Sequence, residues 1–200
     1  MAKGPRYRVP YRRRREGKTN YRLRRALVLS GLPRLVVRGS VRHITVQLVR
    51  AEDMGDKVLA SAHSGELLKH YGWRGNCGNL PAAYLTGLLG GRRASAKGLK
   101  EAILDIGLQS PSKGARAFAA LKGFMDAGID IPHEEGILPV DQRIEGQHIA
   151  DYAARLASSD RDLYTRMFSK YLSAGLPPEG VPRHFSEVKE KIVSSLKQVG

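Results

Sequence analysis

Two hundred residues suffice for one substantial core with appended segments, and hardly for two full-sized domains. The 34 Lys and Arg against 19 Asp and Glu leave a formal charge of +15, which calls for a partner with a dense array of negative charge, best met by nucleic acid. A single cysteine, Cys77, excludes an intrachain disulfide framework and a cysteine zinc cluster, and no apolar run approaches the roughly 18 residues of a membrane span. A reducing cytoplasm, with no membrane partner, is the expected setting.

Residues 1–25 contain 11 basic side chains and one acid, Glu16, so most of the net charge sits in an arm. Its arginines alternate with Tyr7, Tyr11 and Tyr21. Guanidinium groups bind phosphates bidentately and stack on bases, and tyrosines stack on unpaired bases, which suits folded RNA with loops and bulges. The arm has almost no aliphatic residues to offset the entropy of ordering, so it is expected to be disordered until RNA supplies counter-charge. A short helix over 21–29 is expected to lead into the body. Gly17-Lys18-Thr19 looks like the end of a phosphate-binding loop, but the first glycine of that pattern would fall at Arg12 and no strand precedes it, so no nucleotide site is read.

From Arg34 the pattern becomes strand-like. Gly39-Ser40 between two apolar alternations predicts a two-residue type II′ hairpin pairing Arg38 with Val41 and Leu35 with Ile44. One face then carries Leu35, Val37, Ile44, Val46 and Leu48 as core, and the other Arg34, Arg38, His43, Thr45 and Gln47, free to meet RNA. A third strand over 57–62 and a short helix over 66–70 follow. Asn79 as N-cap and Pro81 in the first turn open a helix with Tyr84, Leu85, Leu88 and Leu89 inward, whose Ala82, Ala83, Gly87, Gly90 and Gly91 would let it lie close to a sheet. A fourth strand over 101–108 precedes an amphipathic helix over 113–127, with Phe118, Leu121 and Met125 inward and Gly128 as its stop. This order implies an α/β fold, a mixed sheet with packed helices. Beyond a linker at 132–139, helices are expected over 146–157, 160–173 and 186–198, the last burying Val188, Ile192 and Leu196. The loop 175–182 separates the last two. The organisation expected is an arm (1–25), an α/β body (26–131) and a helical extension (132–200).

The Gly-rich loop 71–78 contains two weak GxxG matches, better read as a tight turn presenting Trp73 and Arg74 to RNA or protein. Six scattered histidines show no paired ligand spacing, so neither metal nor cofactor is expected. A metal-dependent nuclease would need clustered acids on central strands. The first two predicted strands carry Arg34, Arg38, Arg42 and Arg50 without an acid, and Asp105 is the only aspartate in a predicted strand. An enzyme is therefore not expected, and the remaining alternative is a general basic nucleic-acid coat.

Several runs carry a more specific signal: Pro33-Arg-Leu-Val-Val-Arg38, Gly55-Asp-Lys-Val-Leu-Ala-Ser-Ala-His63, Tyr71-Gly-Trp73, NLPAAYLTGLL from Asn79 to Leu89, Leu104-Asp-Ile-Gly107 and Phe118-Ala-Ala-Leu-Lys-Gly123. Together they resemble the large-subunit ribosomal protein L-eighteen family, archaeal type, from the arm through Ile149-Ala150. The resemblance implies a protein that binds 5S rRNA and helps seat it on 23S rRNA in the central protuberance, beside neighbouring ribosomal proteins. It also implies a ribonuclease H-like body without the catalytic acids. The family's RNA contacts carry over to Arg6, Tyr7, Arg8, Arg12, Arg13, Arg14, Arg15, Lys18, Thr19, Tyr21, Arg22, Arg24 and Arg25 of the arm. The hairpin residues Arg34, Arg38, His43 and Gln47 come next, then Lys113 and Arg116.

Overall fold

The structure, a computed structural model, describes residues 4–195. Short helix α1 (Arg12–Arg15) and helix α2 (Tyr21–Leu29) form the arm, and neither buries a residue. Strands β1 (Arg34–Gly39), β2 (Ile44–Glu52) and β3 (Gly55–His63) then run as an antiparallel meander. Helices α3 (Ser64–His70) and α4 (Leu80–Ser95) lead to β4 (Ile103–Asp105), which pairs parallel to β1, and to α5 (Arg116–Met125). The sheet order is β3-β2-β1-β4, a mixed α/β arrangement as composition and pattern imply.

The hairpin register differs from the expected one. Leu35 faces Leu48 and Gly39 faces Ile44, so the chain reverses at Val41 and Arg42, two residues later than the glycine signal suggests. Ser40 decides this: its backbone N–H donates to the His43 carbonyl at 2.8 Å, and its hydroxyl accepts the His43 N–H at 3.0 Å. Such a local side-chain bond competes with a glycine-led turn. The partner of each β1 residue moves by four positions, an even number, so the assignment of side chains to faces survives. Leu35, Val37, Ile44, Val46 and Leu48 are all buried on the helix-covered face.

Helix α4 is buried almost all round, between the sheet and α5. Asn79 caps it, its side chain accepting the Ala82 N–H at 2.9 Å. Its glycines serve mainly α5 and not the sheet as expected. A Cβ at Gly87 would overlap the Ala120 carbonyl, and one at Gly91 would press on Phe124 and Ala127; only Gly90 meets the sheet, at Val46 and Ala62. Gly123 answers from α5, where a Cβ would overlap the Tyr84 carbonyl. Because backbone meets backbone, no rotamer change can relieve the clash. Gly87→Ala is expected to cost about 3 kcal/mol, the upper end of ordinary overpacking, read as a lowered urea midpoint at unchanged m.

Strand β4 is shorter than expected. Ala102 N–H bonds to the Asp130 carbonyl beyond α5, and after Asp105 the chain turns at Gly107 (φ +69°), whose N–H donates to the Asp105 carboxylate at 2.9 Å. Helix α5 starts three residues late because Gly114 adopts φ +68°, and Met125 is only half-buried. Strand β3 begins at Gly55, not at Lys57, which brings Asp56 into the sheet; β2 likewise reaches Glu52, and Arg42 lies in the turn. Asp105 is thus not the only aspartate on a strand.

The C-terminal part is helical: α6 (Asp141–Glu145), α7 (Gln147–Ser159), α8 (Arg161–Met167), α9 (Ser169–Ser173) and α10 (Val181–Ser195). The expected linker holds a 3-10 turn (Glu135–Ile137), and the expected helix over 160–173 is broken at Phe168. Helix α10 starts five residues early, with Pro182 in its first turn, where a missing N–H costs nothing. Val188 and Ile192 are fully buried as expected, while Leu196 lies outside the described residues. Ile144, Leu176, Val181 and Phe185 join the same hydrophobic cluster as the sheet, so the last helix shares the body's core.

Candidate nucleic-acid interface

The face of the sheet away from α4 and α5 carries Arg34, Val36 and Arg38 from β1, Gln47 and Val49 from β2, and Asp56 and Val58 from β3. Helix α2 lies across it, leaving a cleft of about 860 Å³. Asn20 starts α2 by accepting the N–H groups of Arg22 and Leu23. With this start Tyr21, Arg24 and Leu27 share one face and are half-buried, whereas Arg22 and Arg25 on the other are exposed.

Five charged side chains run in a chain across the cleft. Arg24 of α2 holds Asp56 bidentately, Nη1 to Oδ2 at 2.8 Å and Nη2 to Oδ1 at 2.7 Å. Arg34 donates to the same Asp56 Oδ2 at 2.8 Å and, through its other terminal nitrogen, to Asp105 Oδ2 at 2.8 Å. Arg38 donates to Asp105 Oδ1 at 2.8 Å and to the backbone carbonyls of Asp105 and Val37. The Arg24 hydrogen bonds, seconded by Arg34, hold the Asp56 carboxyl below the ordinary carboxylate range, and the same bonds raise Arg24. A lowered acid stabilises the fold above its unfolded pKa, and this contribution disappears only as pH falls through the lowered value. The latch between arm and sheet therefore holds across neutral and mildly acidic pH.

Two of the expected RNA ligands thereby have carboxylate partners within the chain. Arg34 is 3% exposed and spends both ends on carboxylates, so it braces the sheet from within. Arg24 is taken by Asp56, while Arg38, 46% exposed at its side chain, keeps one flank in solvent. Trp73 is buried and not presented as expected: it is 1% exposed, donates its indole N–H to the Asn76 carbonyl and stacks on His184 at 5.2 Å. A large apolar ring in a Gly-rich loop reads locally as a presented side chain, but His184 of α10, more than a hundred residues further on, covers it. Burial keeps His184 below its usual pKa, and its Nε2 accepts the Arg74 N–H at 3.1 Å while the Arg74 side chain stays exposed. His43 is half-buried beside Ser64 and His63, and Gln47 lines the cleft. Arg116 donates to the carbonyls of Ser40 and Gly78, clamping two loops, and Lys113 is exposed.

The rest of the arm stays open to a ligand. Arg12 and Lys18 flank Glu16, and Arg13 donates to the Thr19 hydroxyl at 2.8 Å. Tyr11 packs on Tyr21 at 5.0 Å, and Tyr7 is 45% exposed. Arg6, Arg8, Arg14, Arg15, Arg22 and Arg25 are exposed, with no ion-pair partner among the described residues. The arrangement offers a phosphate-rich ligand fixed cations beside a sheet whose own acids are already neutralised. No group of three or more His, Cys, Asp or Glu that could hold a metal occurs among the described residues, and no helix there is long and apolar enough to cross a membrane.

Comparison with known proteins places this architecture. The family model for ribosomal large subunit proteins 60S L5 and 50S L18 matches residues 5–100 and 94–134. Large ribosomal subunit protein uL18 of Aeropyrum pernix is 55% identical over 199 residues, covering 100% of this chain and 93% of that relative. The chain belongs to this ribosomal family. The family match begins within the arm and takes in the whole sheet, the Gly-rich loop, α4 and α5. It stops before α6, whereas the similarity to the archaeal relative continues through the C-terminal helices. Asp56, which the expected third strand left out, and Asp105, read as a lone acid, fall inside the matched span together with their arginine partners.

Proposed function

We propose that this chain is a structural constituent of the large ribosomal subunit that binds 5S rRNA and helps attach it to 23S rRNA in the central protuberance. The observation that carries the reading is the arm: six exposed guanidinium groups, without an ion pair among the described residues, beside a sheet face whose two aspartates are saturated by arginines. Such a surface favours phosphates without the carboxylate repulsion that a nuclease centre would need metal to overcome. Membership of the ribosomal family supports the same conclusion. In this reading the arm and the hairpin meet 5S rRNA, while the C-terminal helices meet 23S rRNA or neighbouring proteins of the protuberance. The β3-β2-β1-β4 order, with three antiparallel strands and a parallel fourth, supports a ribonuclease H-like body.

The test is a competition assay of the intact chain with 5S rRNA against a scrambled RNA of equal length and duplex DNA, at near-physiological salt. Preference for 5S rRNA by about a hundredfold or more, roughly 2.7 kcal/mol, is expected. Equal binding to all three would reduce the protein to a general basic coat.

A further inference from the structure

An acid in the middle of an RNA-binding surface ordinarily weakens binding, and Asp56 stands beside the arm that carries most of the positive charge. Its geometry argues for the opposite effect. Helix α2 buries none of its residues fully, and of its apolar side chains only Tyr21 and Leu27 are half-buried, so apolar packing seats it weakly on the sheet. What joins it there is the two-pronged Arg24–Asp56 pair, at 2.7 and 2.8 Å, whose carboxylate is itself fixed from below by the buried Arg34. Arg34 is in turn anchored to the buried Asp105 of the neighbouring strand β4, so Asp56 stands on a rigid base. A bidentate arginine pair also sets orientation, because the planar fork matches the carboxylate in one arrangement. With Arg24 turned inward, the helical repeat directs Arg22 and Arg25 away from the sheet.

We propose that Asp56 is a positioning residue for RNA binding: through Arg24 it docks α2 over the open face of the sheet and so presents Arg22 and Arg25 to RNA. The inference rests on the 5S rRNA reading above and adds to it the means by which the arm is oriented. Without the latch, α2 must be ordered at the moment of binding, and that entropy is subtracted from the affinity.

The experiment is a double-mutant cycle in RNA affinity with Asp56→Asn, Arg24→Gln and both together, in the full chain at constant salt. Asp56→Asn raises the net charge by one, so simple electrostatics predicts tighter binding. Docking predicts weaker binding by about threefold to tenfold, on the order of what a well-oriented partly exposed pair contributes. The double variant should bind no worse than Arg24→Gln alone, and Asp56→Glu should recover most of the loss. Far-UV circular dichroism and the urea midpoint of each variant separate undocking from unfolding. If Asp56→Asn binds as tightly as the unchanged chain or tighter, or if the two losses simply add, the proposal is overturned. Lack of 5S preference in the unchanged chain would sink the functional reading alone, and the cycle is then read on whichever RNA that chain binds.

Discussion

Removing residues 1–18 is expected to lower affinity for 5S rRNA by about a thousandfold at near-physiological salt, while leaving the body folded. The deleted segment carries eight of the arm's 11 basic side chains, yet spares α2 and its Arg24–Asp56 latch. None of the described residues in the segment is buried, so the hydrophobic core loses nothing. The same deletion should flatten the plot of log affinity against log salt. Each phosphate neutralised contributes roughly 0.7 to 0.9 to the slope, so losing about six contacts removes roughly 4 to 5 from it. Filter binding between about 50 and 200 mM salt measures both quantities. An unchanged slope would mean that the arm points away from the RNA and that the cleft or the C-terminal helices carry the contacts.

A large effect on stability is also expected at Arg34. Arg34→Ala should cost about 3 kcal/mol, because Asp105, 7% exposed, would lose the partner that neutralises it from within the sheet. Breaking one side of a buried pair is expensive for the charge left behind, whereas a half-exposed arginine can be replaced by water. Arg38 makes three hydrogen bonds around the same aspartate but is 46% exposed at its side chain, so Arg38→Ala should cost on the order of 1 kcal/mol. The contrast in urea midpoints between the two variants is the measurement. Equal costs would show that the two arginines support Asp105 alike and that the burial of Arg34 adds nothing.

Both predictions depend on a division of labour among arginines that identity alone does not reveal. In the sequence, Arg24, Arg34 and Arg38 look like further members of a basic surface. In the structure Arg24 and Arg34 are structural, and Arg38 is shared between the sheet and solvent. The acids that claim them lie 32 and 22 residues away for Asp56, and 71 and 67 residues away for Asp105. No local period or cap signals such a pairing. The removal of Trp73 from the exposed set has the same origin, since the helix that covers it lies over a hundred residues downstream. The reach of Arg116 to the carbonyls of Ser40 and Gly78 likewise joins loops 76 and 38 residues from it.

What the sequence by itself determined are the properties set by composition and by neighbours within a few residues. The concentration of charge in the arm and the class of partner follow from counting. The inward set Leu35, Val37, Ile44, Val46 and Leu48 follows from a period of two, which survives even an error in the hairpin register because the slip was even. The start of α4 at Asn79 follows from a side chain that satisfies an N–H three residues on, and the span of α2 from its local pattern. Only the tertiary structure decided the hairpin register, where Ser40 overrode a glycine, and the close crossing of α4 and α5, where Gly87 and Gly123 admit each other's backbone. It alone decided, too, which cations are held by carboxylates within the chain. An arginine's role depends on whether a carboxylate reaches it first, and the chain's long-range path sets that distance.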